Sequence, residues 1–331
     1  MQGAKIEPRQ KRKPPSRTKA RSGASSVKRS RATEASPPSN DTSPLVILEK
    51  DPAICLVYHV KDRRNRYIQK EEALQLYAAA SRDAAAARKS NIRICADGDS
   101  WINILWPLSG LAGYQPTLYD FLEGWYYAPN VAYPGDTFEQ MLVKKDFRSL
   151  VKSASFDFFI FSGGGNDVLG GGALTQLLRA RSSGTPNDPG SFIRLDILDR
   201  TIRKLEDGYN EIARDVAILS SPKRTQLLVH GYDVPKPVQG GVWLGGPFTR
   251  RGFSLTQDIT IIESILTYLV DRFYEMLERV EGAHDNTTVV HLKDVVGNRW
   301  NDELHPKRAA SQDLAKKFSN VIDALSAVPV A

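Results

Sequence analysis

The sequence predicts an α/β protein built on an open, mostly parallel sheet with helices on both faces. Short apolar runs bounded by turn residues recur along the chain, as buried parallel strands do. Between them the apolar period becomes helical. A chain of 331 residues, 41% of them hydrophobic, can also bury a sizeable core. Ligands of such sheets bind beyond the carboxyl ends of the strands, so chemistry is expected in the turns that follow the apolar runs.

Residues 1–44 hold eleven Lys or Arg against Glu7, Glu34 and Asp41, a net +8 out of the chain's +7, which leaves the remainder at −1. This segment has almost nothing to bury and reads as a disordered basic tail. The basic balance therefore describes an appendage, and the body is nearly neutral. No aromatic residue interleaves the tail's charges, so specific nucleic-acid recognition is not expected; weak attraction to an anionic partner is the reading that fits. Residues 45–90 form an extension, with a strand over Ala53 to Val60 and a helix over the alanine-rich Glu71 to Lys89.

From residue 91 onward strands are expected at Ile92 to Ala96, Val131 to Tyr133, Phe156 to Phe161, Gln226 to His230 and Thr288 to Leu292. Leu195, Leu198, Ile202, Leu205, Tyr209, Ile212, Val216 and Leu219 recur at steps of three and four and share one face of a long helix. Ile262, Ile265, Leu269, Phe273, Met276 and Val280 do the same. A further helix is expected to begin at Pro306, favoured at a first helical position, and to bury Ala310, Leu314, Phe318, Val321 and Leu325.

Three turns carry the residues suited to chemistry. Cys95-Ala96-Asp97-Gly98-Asp99-Ser100-Trp101 ends an apolar run in a serine that can face a cleft. Phe161-Ser162-Gly163-Gly164-Gly165-Asn166-Asp167 follows another such run and offers a side-chain amide. Asn301-Asp302-Glu303-Leu304-His305-Pro306 precedes a helical pattern and pairs a carboxylate with an imidazole three residues on. Taken singly, each has an ordinary reading: Gly-Asn-Asp is a common bend, and Asp302 with His305 suits a helix-capping loop.

As an ordered set these motifs resemble the SGNH hydrolases, the GDSL esterase and lipase family, over residues 91–326. Gly98-Asp99-Ser100 matches its first block, a single glycine at Gly135 its second, Gly164-Gly165-Asn166-Asp167 its third, and Asp302 to His305 its fifth. The resemblance implies a three-layer α/β/α domain, flavodoxin-like, on a mostly parallel five-stranded sheet. It further implies a serine esterase acting through an acyl-enzyme without a cofactor or metal. Ser100 would be the nucleophile, His305 the general base and then acid, and Asp302 the orienting carboxylate. The Ser100 and Gly135 backbone amides and the Asn166 side chain would form the oxyanion hole. The clearest departure is Trp101, where the family name expects leucine; it bears on substrate class rather than chemistry. Family members include lipases, thioesterases and carbohydrate deacetylases, so the partner expected is a small-molecule, glycan or lipid ester.

Other readings compete. Asp97-Gly98-Asp99-Ser100 also resembles the Asp-x-Asp turn of haloacid-dehalogenase-like phosphohydrolases, which would use Asp97 as nucleophile and Mg²⁺. A non-catalytic module of the same fold is a third reading. Gly163 to Gly165 and Gly170 to Gly172 lack the lysine of a phosphate loop. His230 with Asp233, and His291 with Asp294, lack a compact ligand cluster and read as structural or pocket-lining; His59 and His284 carry no motif. Tyr232 to Phe253 reads equally as a pocket wall or flap and as plain loop packing. Cys55 and Cys95 are the only cysteines and are expected as buried thiols. No run approaches a membrane span and no apolar signal core opens the chain, so a cytoplasmic location is the expectation; a transit peptide is disfavoured because the tail has few apolar residues for an amphipathic face.

Overall fold

The computed structural model describes residues 91–104, 116–170 and 172–327, together with the backbone of residues 45–50 and 57–62. The basic tail, the Glu71 to Lys89 helix, Cys55 and the first half of the expected Ala53 to Val60 strand lie outside the described residues; its second half falls in a strand that begins at Val57. Strands β1 (Leu45–Lys50) and β2 (Val57–Asp62) form an antiparallel pair of their own.

The main sheet contains β3 (Ile94–Gly98), β4 (Phe158–Ser162), β5 (Gln226–His230) and β6 (Thr287–Val290), all parallel and in that order. The described helices are α1 (Leu118–Trp125), α2 (Phe138–Lys144), α3 (Asp146–Ser153), α4 (Gly165–Val168), α5 (Ala173–Leu177), α6 (Leu195–Leu219), α7 (Gly245–Arg250), α8 (Ile259–Ala283) and α9 (Arg308–Ser326). On one face α1 packs on α9, and Phe318 of α9 reaches the His230 ring of β5. On the other, α3, α6 and α8 cover the sheet, with Phe147 stacked on Phe159 and Tyr209 edge-on to Phe161. Phe159 and Phe161 are two residues apart and therefore share a sheet face. The result is the expected three-layer α/β/α arrangement.

The expected strand at Val131 to Tyr133 is corrected: this segment is not a regular strand. Residues 127–133 run beside β3 with only two isolated parallel bridges, Arg93 to Tyr127 and Ala96 to Asn130. The hydrogen bonds Ile94 N to Tyr127 O, Ala96 N to Pro129 O, Val131 N to Ala96 O and Tyr133 N to Gly98 O trace a parallel ladder. Two rungs are missing: residue 129 would donate to Ile94 O, but Pro129 has no N–H, and Gly98 N, due to reach Val131 O, donates to Asp97 Oδ1 instead. Among the described residues, four regular strands thus stand in the main sheet where five were expected, with the fifth position held by an interrupted edge. Counted in that position, the segment gives the spatial order 2-1-3-4-5, whose topological switch point lies between β3 and β4. The loops carrying Ser100 and Asn166 leave the sheet there.

The helix expected to start at Pro306 begins instead at Arg308, after an extended Lys307 cap. Pro306 pairs with Trp300 in an isolated bridge, and Lys307 N donates to Arg299 O, so the proline closes a loop before the helix can start. In α6 the apolar face is buried as expected except at its ends, where Leu195, the first helical residue, is exposed and Leu219, the last, is half-buried. In α9 Ile322 is buried, while Val321 and Leu325 are half-buried. All six apolar residues expected on the face of α8 are buried. Cys95 is buried in β3 as a free thiol, and burial pushes its pKa up. No helix among the described residues is long and apolar enough to cross a membrane.

Candidate active site

The nucleophile turn is built by burial of Asp99. Its carboxylate, 2% exposed, accepts from Ser162 Oγ at 2.7 Å, Trp101 N at 3.0 Å and the Tyr232 hydroxyl at 2.6 Å. Asp99 N donates to Ser162 O, so the turn after β3 is tied to the end of β4. Gly98 makes that approach feasible: its φ is +154°, and a Cβ there would lie 2.5 Å from Ser162 O. Ser100 follows on the same turn and stays partly open to solvent.

His305 Nε2 lies 2.9 Å from Ser100 Oγ, although the two are 205 residues apart. Its Nδ1 lies 2.9 Å from Asp302 Oδ2 and 3.0 Å from Oδ1. A proton on Nδ1, donated to the carboxylate, leaves Nε2 free to accept from the serine hydroxyl. Asp302 Oδ1 also accepts from Leu304 N at 2.9 Å and His305 N at 2.8 Å, and Asn301 N donates to His305 O at 2.7 Å. Burial alone would push the Asp302 carboxyl up, but the hydrogen bonds and charge of His305 hold it below the usual carboxylate range. Hydroxyl, imidazole and carboxylate therefore stand in line, able to pass a proton from Ser100 to His305.

Gly135 and Asn166 line the same cleft as Ser100 and His305. Asn166 Nδ2 donates to Asp136 O at 3.2 Å, which fastens the amide to the turn containing Gly135. Neither Ser100 N nor Gly135 N takes part in a described hydrogen bond. The structure thus brings together five of five residues nominated from the sequence: Ser100, Gly135, Asn166, Asp302 and His305.

Two carboxylates hold the surrounding loops: Glu303, to which the sequence reading gave no role, and Asp233, named there only beside His230. Glu303, 3% exposed, turns away from Asp302 and accepts from Val238 N at 2.9 Å, Trp243 N at 2.9 Å, Leu244 N at 3.0 Å and Gly245 N at 2.7 Å. The loop wraps it so closely that a Cβ on Gly241 would fall 2.1 Å from the carboxyl carbon. This clasp places the Trp243 ring 5.5 Å from His305, edge-on, where it lines the cleft. Asp233 similarly accepts from Val234 N, Asp294 N and Val296 N at 2.6–2.9 Å. No local pattern marks Glu303, because its donors lie 58–65 residues away. Glu303→Ala would leave four N–H groups without their acceptor, a loss of at least about 3 kcal/mol. Urea unfolding should show the lowered midpoint, and kcat should fall as Trp243 loses its position; an unchanged midpoint would refute the clasp.

Asp97 is 4% exposed, accepts from Gly98 N at 2.7 Å and does not line the cleft. Among the described residues no three His, Cys, Asp or Glu side chains gather as a metal site. His230 is fully buried, with Nδ1 2.8 Å from Gly231 O and its ring between those of Trp101, Tyr232 and Phe318; burial lowers its pKa. His291 is exposed and stacks on Tyr274.

No protein-family model matches the sequence, and no curated protein matches it. Among solved structures, the chain is similar to the lipase Lip_vut3 from a goat rumen metagenome, with 12% identity, a TM-score of 0.46, and coverage of 70% of this chain and 97% of that one. It is similar to phospholipase A1 from Streptomyces albidoflavus NA297, with 15% identity, a TM-score of 0.46, and coverage of 71% and 99%. It is also similar to Est24, a carbohydrate acetylesterase from Sinorhizobium meliloti, with 12% identity, a TM-score of 0.40, and coverage of 71% and 100%.

Proposed function

We propose that this chain is an SGNH-type serine hydrolase that cleaves a carboxylic ester through an acyl-enzyme. The observation that carries the reading is the unbroken Ser100–His305–Asp302 line, at 2.9 Å for each of its two links, at the mouth of a cleft of about 1000 Å³. Ser100 Oγ attacks the ester carbon as its proton passes to His305 Nε2. The C–O bond to the alcohol then breaks, and the alcohol leaves with that proton. Water, deprotonated by His305, releases the acid and restores Ser100. Ser100 N, Gly135 N and Asn166 Nδ2 would receive the charge that develops on the carbonyl oxygen. Asp302 keeps the proton on Nδ1 and so keeps Nε2 basic. The phosphohydrolase alternative is disfavoured by the burial of Asp97 away from the cleft.

A fluorophosphonate is expected to label this protein at Ser100, because the phosphonyl centre takes the place of the ester carbon. Peptide mapping checks the site, and Ser100→Ala should abolish the adduct. Label on a different serine, or an equal label in the alanine variant, would overturn the assignment.

A further inference from the structure

Three cavities meet at Ser100: one of about 10 Å³, between Trp101, Leu118, Pro306 and Leu314, includes neither Asn166 nor His305 in its lining and is too small for an acyl chain, and the other two differ in size and in chemistry. Of these two, one is the open cleft, which contains His305 and carries Glu139 and Asp207 against Lys204, together with Glu211, paired to Lys145, and Asp167, which accepts from Phe138 N at 3.1 Å. The other is a recess of about 30 Å³ whose described lining includes Ser100 and Asn166 but not His305. Trp101, Leu169, Tyr232, Pro235, Trp300 and Leu304 wall it. Its two carboxylates, Asp99 and Asp233, are already engaged with protein donors, so its surface is apolar in effect.

Geometry assigns the two cavities to the two halves of an ester. The departing alcohol oxygen must take its proton from His305 Nε2, so the alcohol lies on the side that His305 lines, in the cleft. The acyl chain, bonded to Ser100 Oγ with its oxygen toward Asn166, is left with the recess. We infer, resting on the esterase reading above, that the enzyme takes short acyl groups, acetyl above all, from a hydroxyl-rich alcohol that bears no negative charge. A space of about 30 Å³ admits roughly one or two non-hydrogen atoms beyond the carbonyl. The walls that set this limit are fixed. Trp101 is 5% exposed, donates Nε1–H to Leu304 O at 3.1 Å and stands edge-on to Tyr232 at 5.0 Å, and Trp300 is 9% exposed. On the alcohol side, the carboxylates of Glu139 and Asp207 can accept from hydroxyls and would repel an anionic alcohol. Thr137, Gln176 and Thr201 add further polar contacts there.

The test is hydrolysis of p-nitrophenyl acetate, butyrate and octanoate by the full-length protein and by Ser100→Ala, Trp101→Leu and Trp300→Leu. Acetate should exceed butyrate by at least about tenfold in kcat/KM, since a pocket with no room for added methylenes discriminates by that much or more. Trp101→Leu should narrow the ratio. Trp300→Leu widens the recess from a different loop and should narrow it too, should the first variant fold poorly. A parallel arm compares an acetylated neutral hexose with an acetylated hexuronate, and the neutral ester should be faster. Ser100-dependent hydrolysis that rises toward octanoate would overturn the short-acyl inference and leave the esterase reading standing. A preference unchanged in both tryptophan variants would overturn the assignment of the recess, and faster cleavage of the hexuronate the assignment of the cleft. Failure to hydrolyse any of these esters in a Ser100-dependent way would overturn the esterase reading itself.

Discussion

Ser100→Ala and His305→Ala are each expected to lower kcat by about 10⁶-fold, and the double variant to lose little more than either single one. The reason lies in the single contact between them, Nε2 to Oγ at 2.9 Å. A serine hydroxyl without a base to take its proton is a poor nucleophile, and a base with no hydroxyl beside it has nothing to activate. Either deletion therefore removes the whole step. What survives is acceleration by oxyanion donors and by substrate binding, about 10³- to 10⁴-fold over water. Single-turnover kinetics with a fast-leaving ester would read the three variants, with circular dichroism confirming that each is folded. Losses that add in the double variant would mean that the two residues act independently, and the proton transfer between them would have to be abandoned.

The sheet and the long helices could be read from the sequence because both obey a local period. Leu195–Leu219 and Ile259–Ala283 repeat at three and four residues, and the burial of one face follows directly. Strand limits were harder where the site intrudes. β3 and β4 each end two or one residues beyond their apolar runs, in Gly98 and Ser162. Those residues look like turn residues in isolation and are held in the ladder by Asp99 and by pairing with each other. The interrupted edge at residues 127–133 departs from expectation for the opposite reason: apolar residues suggest a strand, but Pro129 cannot donate and Gly98 N turns to Asp97, so two rungs are lost.

The candidate site was legible where its residues sit in compact motifs, and illegible where its support comes from afar. Asp302 and His305 are three residues apart, so a sequence can display the pair. Asp99, Glu303 and Tyr232 matter through contacts with Ser162, the 238–245 loop and Gly165, and none of those contacts has a local signature. Glu303 stands between the two nominated residues yet serves a different loop: Asp302 turns back to accept from Leu304 N and His305 N, while Glu303 accepts from the 238–245 loop. The same segment thus fixes the proposed base and the wall that covers it.

Asp302→Asn is expected to lower kcat by about 10⁴-fold while leaving the fold intact. Asn keeps the shape and one oxygen, so Leu304 N and His305 N can retain an acceptor. Its other terminal atom, however, is an NH₂, which donates. Facing His305 Nδ1, it would favour the tautomer with the proton on Nε2, and that nitrogen would then donate to Ser100 Oγ instead of accepting from it. The ring would be in place with its proton on the wrong side. Stability gives an independent reading. The folded-state pKa of Asp302 is depressed by His305 and two backbone N–H groups despite the opposing effect of burial. Its ionised form therefore stabilises the native state above the unfolded-state pKa, about 3.9 for Asp, and that contribution fades as pH falls through the lower folded-state value. Unfolding midpoints measured from pH 7 down to pH 2 should decline less steeply in the Asn variant than in the parent. A variant with kcat within tenfold of the parent would remove Asp302 from the proposed triad, whereas parallel acid limbs would show that its ionisation is not coupled to folding.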